Sequence, residues 1–225
     1  MKASSIPMRA RGFTLVEVLV ALLIMSILAV MSWQGVDGIV RTRDASKTRM
    51  EATLRLNTVL SQWEQDLNAQ QSSDSTVPAF SFNGASVRIT RRATQGLQVV
   101  VWSLRPGLDG AQAGQTWVRW AGTPTVLADE LRNTWINSQQ LQGTEPGSVR
   151  AIEGLAQLQV FCYRPTDNTW TNCQSTGNNT PTVTNGQIVP GGQGNSGVRL
   201  ILTFADGSGQ FGSVTRDVAL GPTWQ

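Results

Sequence analysis

A single carboxylate, Glu17, lies inside the most apolar stretch of the chain. Between Phe13 and Trp33 it is the only ionisable side chain. A charged side chain at the centre of a lipid bilayer costs about 3 kcal/mol, and such a residue marks a functional site by default. A buried charge is tolerated when a group of opposite sign meets it. The position of Glu17 therefore predicts a functional role in which it pairs with a cation.

The other residue types and spacings offer little chemistry. The 225 residues include no histidine, which removes the commonest general base and the commonest metal ligand. The adjacent carboxylates Asp129 and Glu130 point to different faces of a strand, and they do not face each other on a helix. Segment 206–209 lacks the several oxygen donors of a calcium loop and is typical of a hairpin turn. We therefore predict no enzymatic activity, no cofactor and no metal site.

Two cysteines, Cys162 and Cys173, form a candidate disulfide. The segment between them contains turn-forming residues, among them Pro165 and Asn168, so a hairpin would bring the two sulfurs together. A redox-active pair would need a Cys-x-x-Cys spacing, which is absent. Outside the cytoplasm the disulfide is the expected state, and a buried pair of free thiols is the alternative.

The apolar run from Phe13 to Trp33 has the length of a membrane span. A helix of this length measures about 31 Å, which matches a hydrocarbon core of about 30 Å. Trp33 suits the membrane–water interface at the far end, and a basic leader with Arg9 and Arg11 precedes the run. The alternatives are a cleaved secretory signal peptide and a plain anchor. The first has a poor cleavage site, and neither explains Glu17.

Segment 12–17, Gly-Phe-Thr-Leu-Val-Glu, resembles the processing site of type IV prepilins and type II secretion pseudopilins. The resemblance implies that a membrane-embedded prepilin peptidase cuts between Gly12 and Phe13 on the cytoplasmic side and then N-methylates Phe13. It implies that Glu17 pairs with the terminal amine of a neighbouring subunit, and that Thr14 belongs to the same assembly motif. The protein would cross the bacterial inner membrane once, with its N terminus in the cytoplasm and its globular part in the periplasm.

The helix is predicted to continue beyond the membrane. No proline or glycine occurs between Val40 and Ala69, and apolar residues from Met50 to Leu67 recur at helical spacing, which indicates one helix of about 55 residues. Gly35 and Gly38 are a possible flexible point. We predict a leader at 1–12, a transmembrane half of the helix at 13–33, a periplasmic half at 34–72 and a β-rich domain at 77–225.

The residues after Pro78 change to the period of two that is typical of strands. Predicted strands at 79–82, 87–90, 97–104, 115–120, 155–163, 169–174, 198–204 and 214–220 are separated by turn residues, which indicates an antiparallel sheet. Residues 126–141 are ambiguous between a strand and a short helix. We expect Trp63 to pack on Trp102, Trp117 or Trp120. The predicted fold class is α+β, a long N-terminal helix packed on an antiparallel sheet, as in pilins.

The charge and the composition of the outer part limit its partners. Without residues 1–12 the chain has 15 basic and 15 acidic residues, so no global basic field attracts nucleic acid. An uncharged insertion rich in Gly, Asn, Thr and Gln is predicted at 174–196. A loop of this length is a mobile insertion or a recognition loop.

Further segments resemble the J-type minor pseudopilin of type II secretion, namely 31–41, 60–67, 155–163 with Trp170, and 198–204 ending at 220–222. This resemblance implies a low-copy subunit near the tip of a periplasmic pseudopilus, which primes assembly with other minor pseudopilins and helps export folded proteins. Its helix and globular face would contact those subunits and secreted cargo. The cysteine pair and the insertion depart from the J-type pattern, and they suit a minor pilin of a type IV pilus as well.

Overall fold

The computed structural model describes residues 13–71, 73, 77–107, 114–165, 168–174, 182–184, 187–189 and 195–220, with the backbone alone at 182–184 and 187–189. The chain divides into two compact units, Met1–Ala52 and Thr53–Gln225. The predicted leader, the residues after Leu220 and most of the predicted insertion at 174–196 lie outside the described residues. The two readings of that insertion therefore stay predictions.

The N-terminal helix α1 (Leu15–Asn68) has 54 residues and runs without a break, as the sequence predicts. Gly35 and Gly38 lie inside it and do not interrupt it. In the part of α1 that belongs to the first unit, the large apolar side chains are exposed. An 18-residue window of this helix reaches a mean hydropathy of 2.6. This stretch is long and apolar enough to cross a membrane, and its exposed apolar surface fits lipid or other helices.

The described strands pair antiparallel throughout. They are β1 (Phe80–Phe82), β2 (Ser86–Ala93), β3 (Gly96–Pro106), β4 (Gln115–Ala121), β5 (Ser148–Arg164), β6 (Thr169–Asn172), β7 (Thr182–Thr184), β8 (Gln187–Val189), β9 (Gly197–Phe204) and β10 (Ser213–Ala219). Among the described residues, one eight-stranded sheet has the order β1-β2-β3-β4-β5-β9-β10, with β6 also paired to β5, and β7 pairs with β8 separately. The structure confirms the predicted α+β fold class.

Strand β5 begins seven residues earlier than the sequence predicts. The sequence predicts that this strand starts at Leu155. In the structure Gly154 has a φ of +76°, and the register with both neighbouring strands shifts next to it. A β-bulge absorbs the glycine within the strand. As a result β5 pairs with β4 along its first half and with β6 and β9 along its second half.

The ambiguous segment 126–141 forms α2 (Ala128–Asn137), followed by one 3₁₀ turn. Its inward side chains Leu131 and Trp135 are four residues apart, as expected on one face of a helix. They are buried in a cluster with Val99 and Val101 of β3. Asp129 and Glu130 lie exposed in the first turn of α2, where Glu130 accepts a hydrogen bond from the Thr125 hydroxyl at 2.6 Å. They therefore lie at the start of a helix, one of the two placements that the sequence left open.

Within the second unit, the end of α1 packs on the sheet through three tryptophans. The Trp63 ring lies 5.7 Å from that of Trp102 and 5.5 Å from that of Trp117, and all three are fully buried. Such aromatic contacts add about 1 kcal/mol each beyond the area they bury. The predicted contact of Trp63 is thus found with Trp102 and Trp117. Trp120 packs instead against the cluster that contains α2. It lies three residues after Trp117 on β4, so the two side chains are on opposite faces of the sheet.

Candidate functional site

The start of α1 is closed by the side chains of Thr14 and Glu17. Thr14 immediately precedes the helix, and Glu17 is three residues further on. The Glu17 Oε2 atom accepts hydrogen bonds from the backbone N–H of Thr14 at 3.0 Å and from its hydroxyl at 2.8 Å. In return, the backbone N–H of Glu17 donates to the Thr14 hydroxyl at 3.3 Å. This reciprocal arrangement is a capping box, which satisfies amide groups that a helix start leaves open.

The capping box holds the Glu17 carboxylate at the very beginning of the apolar helix. Thr14 donates only to the Oε2 atom of Glu17, and no described residue donates to the Oε1 atom of Glu17. That oxygen is available to a cation from another molecule. The side chain of Phe13, 84% exposed, lies immediately before the capping box, and Gly12 lies outside the described residues. The structure therefore brings together Phe13, Thr14 and Glu17.

A second carboxylate, Asp66, organises the interior of the second unit (Thr53–Gln225, the outer unit). Its side chain is fully buried near the end of α1. Arg119 donates to both of its oxygens, at 2.7 and 2.9 Å, and Arg91 donates at 2.6 Å. The Trp102 indole N–H adds a bond at 2.8 Å, and Gln62 adds one at 3.1 Å. One carboxylate thus joins α1 to β2, β3 and β4.

Sequence reasoning missed the role of Asp66, although two signals pointed to it. Asp66 follows Trp63 by three residues and precedes Leu67, so helical spacing places it on the buried stripe of α1. Arg119 lies two residues after the buried Trp117 on β4, so both side chains are on the same, inward face of the strand. An acid and a base that both face the core are expected to pair, because an unpaired buried charge is costly.

The predicted disulfide between Cys162 and Cys173 is present. It joins the end of β5 to the residue after β6, and both cysteines are buried in the main core. In the chain-entropy view, closing a loop of this length stabilises the fold by about 3 kcal/mol. Tyr163 packs on Trp170 across the same hairpin, with ring centroids 5.2 Å apart. Strand β6 has only four residues to pair with β5, and the disulfide stabilises this pairing.

The N-terminal segment has a known counterpart in protein families. Residues 7–33 match the model of the prokaryotic N-terminal methylation motif. The chain carries a type IV prepilin-like methylation motif. No curated protein matches the chain.

The methylation motif covers the capping box and the apolar half of α1. Proteins with this motif are processed by a prepilin peptidase and assemble with other pilins as structural subunits rather than enzymes. With the exposed apolar helix, the motif indicates a membrane-anchored, pilin-like protein. Among the residues that the structure describes, no group of three or more His, Cys, Asp or Glu side chains could hold a metal ion.

Proposed function

We propose that the chain is a minor pseudopilin at the tip of the periplasmic pseudopilus of a type II secretion system. In this role it primes filament assembly for the export of folded proteins across the outer membrane. The observation that carries the proposal is the methylation motif on the apolar first half of α1, residues 13–33, whose one carboxylate, Glu17, is held at the helix start. The resemblance of four further segments to J-type minor pseudopilins supports the secretion system.

In this role, the N-terminal residues act in processing, in membrane anchoring and in filament packing. The prepilin peptidase cuts between Gly12 and Phe13 and methylates the new amine of Phe13. The apolar half of α1 stores the subunit in the inner membrane, with the N terminus in the cytoplasm and the outer unit in the periplasm. In the filament the same half packs against neighbouring helices.

Glu17 then sets the position of each subunit relative to its neighbour. Its Oε2 atom stays bound to Thr14, while Oε1 accepts the terminal amine of an adjacent subunit. A carboxylate in an apolar setting is stabilised strongly by such a partner. The outer unit contacts other minor pseudopilins or secreted cargo.

A minor pilin of a type IV pilus, acting in adhesion, motility or DNA uptake, is the second candidate. The disulfide of Cys162 and Cys173 suits this candidate as well, because the cysteine pair departs from the J-type pattern. Both candidates share the processing and the role of Glu17.

A deletion strain scored for two outputs tests the proposal. Loss of a secretion tip subunit is expected to leave exoproteins in the periplasm and surface pili at normal number. Culture supernatants are compared by quantitative mass spectrometry, and pili are counted by electron microscopy. Complementation in trans is the control. Lost pili with normal secretion would contradict the secretion role and support the second candidate.

A further inference from the structure

Among the described residues, no strand pairs with the outer side of β10 (Ser213–Ala219), so one long edge of the sheet is open. Three strands lie at an edge within the described part of the chain, and their lengths are three residues for β1, four for β6 and seven for β10. An unpaired strand edge presents backbone N–H and C=O groups that can pair with another chain. The open side of β10 is thus the longest edge of these three strands.

The register of β10 identifies the free groups. The Phe204 N–H donates to the Gly212 carbonyl at 3.0 Å, and the Leu220 N–H donates to the Ser196 carbonyl at 2.9 Å. Hydrogen-bonded pairs alternate along an antiparallel ladder, so the even-numbered residues of β10 bond to β9. The odd-numbered residues direct their N–H and C=O groups away from β9, and they are Ser213, Thr215, Asp217 and Ala219.

Natural proteins protect such edges with lysine, proline, bulges or unpaired charges. Strand β10 contains no lysine or proline, and its pairing with β9 keeps one register throughout. Each of its two charges has one partner within the chain, and the Arg216 side chain remains half-exposed. Arg216 bonds to Glu64 of α1, and Asp217 receives two bonds from Arg199, each 2.7 Å long. The hydrogen bonds from Arg199 hold the pKa of Asp217 below its usual value.

We propose that the β10 edge binds an extended segment of a partner polypeptide, which adds to the sheet as an antiparallel strand. An extended chain is the ligand whose backbone matches free donors and acceptors at every second residue. On the face toward α1, the segment meets Val214, Arg216 and Val218 in turn. It therefore carries apolar residues on either side of a carboxylate there. On the opposite face, beside Thr215 and Asp217, it carries hydroxyl side chains.

The partner is a different polypeptide rather than a second copy of this chain. Two β10 strands paired over their whole length would place Arg216 directly opposite Arg216, and like charges in that position are destabilising. Phe211, which is 85% exposed just before β10, adds apolar contact area for a partner. This inference goes beyond the proposed function and does not depend on it, since either filament type could use the edge.

Amide hydrogen exchange of the full chain in detergent micelles tests the proposal. The probe is a synthetic peptide, Thr-Val-Thr-Glu-Thr-Ile-Thr, which matches β10 in antiparallel register. At about 1 mM peptide we expect exchange at the amides of Ser213, Thr215, Asp217 and Ala219 to slow about tenfold. Exchange on the edge strand β1 is expected to stay unchanged.

A pair of variants at one position separates backbone pairing from other contacts. Thr215→Pro removes an outward N–H without taking a bond from β9, and it is expected to abolish the slowing. Thr215→Ala keeps the N–H and is expected to retain it. Unchanged melting temperatures verify the fold. If the proline variant fails to fold, Thr215→Lys supplies the charge that blocks strand edges and is expected to weaken the effect.

Two results would overturn the proposal. The first is that the peptide does not slow exchange at the outward amides, or that it slows exchange in Thr215→Pro as much as in the unaltered chain. The second is slowing that grows with protein concentration in the absence of peptide, since that would show a second copy on the edge. A peptide with lysine in place of its glutamate is the matched control, and it is expected to bind more weakly because it faces Arg216.

Discussion

Asp66→Asn is expected to lower the free energy of unfolding of the outer unit by about 3–5 kcal/mol. The substitution keeps the volume of the side chain but removes its charge. Arg119 and Arg91 are then left beside a neutral amide, and the amide nitrogen cannot accept the bonds that the lost carboxylate oxygen accepted. Removing one partner of a buried charge pair lowers the stability by more than the intact pair contributes, because the remaining charge is left without a partner away from water.

Chemical unfolding of the full chain in detergent measures this effect. Tryptophan fluorescence reports on the transition, since Trp63, Trp102 and Trp117 pack on one another beside Asp66. Glu64→Gln is the matched control, two residues earlier on α1. Glu64 pairs with Arg216 at the surface, so its loss is expected to cost less than about 1 kcal/mol. Equal effects of the two variants would contradict the organising role of Asp66.

Glu17→Gln is expected to reduce incorporation into the filament at least about tenfold while membrane insertion stays normal. A hydrogen bond to a charged group contributes about 1.5–3 kcal/mol, and each 1.4 kcal/mol corresponds to a factor of about ten in an equilibrium. Insertion is not impaired, because removing a charge from an apolar span lowers its cost in lipid. The ratio of variant in sheared filaments to variant in membranes measures the effect.

Ser26→Ala is the matched control for Glu17→Gln. Ser26 lies in the same span, and its hydroxyl donates to the Leu23 carbonyl within the helix at 2.8 Å. Removing it changes the polarity of the span without touching the capping box. We expect normal incorporation for this variant. Normal incorporation of Glu17→Gln would remove the pairing role that we propose for Glu17.

The features that depend on local sequence could be predicted. Helical spacing and the absence of glycine and proline between Val40 and Ala69 gave one long helix, and the turn at 206–209 marked a hairpin that the structure contains. The capping box was not predicted, although Thr14 and Glu17 stand three residues apart at a helix start, which is its spacing. Here the chemistry lies within one helical turn, so the sequence alone contains it.

The features that depend on distant pairing could not be predicted in the same way. The early start of β5 depends on a bulge at Gly154 that only its neighbouring strands reveal. The cluster around Asp66 joins it to Arg91 and Arg119, which lie 25 and 53 positions further along the chain. The open edge of β10 follows from the strand order, because hairpin signals do not say which strand ends a sheet.

The mass of the mature N terminus tests the central proposal most directly. The protein is isolated from native membranes, and its terminal peptide is sequenced by mass spectrometry. We predict a chain that begins at Phe13 and carries one methyl group on its terminal amine. A strain without the prepilin peptidase is expected to retain residues 1–12. An intact Met1 in the wild-type strain, or a chain that begins near Trp33, would contradict the assignment of this protein as a pilin-like subunit.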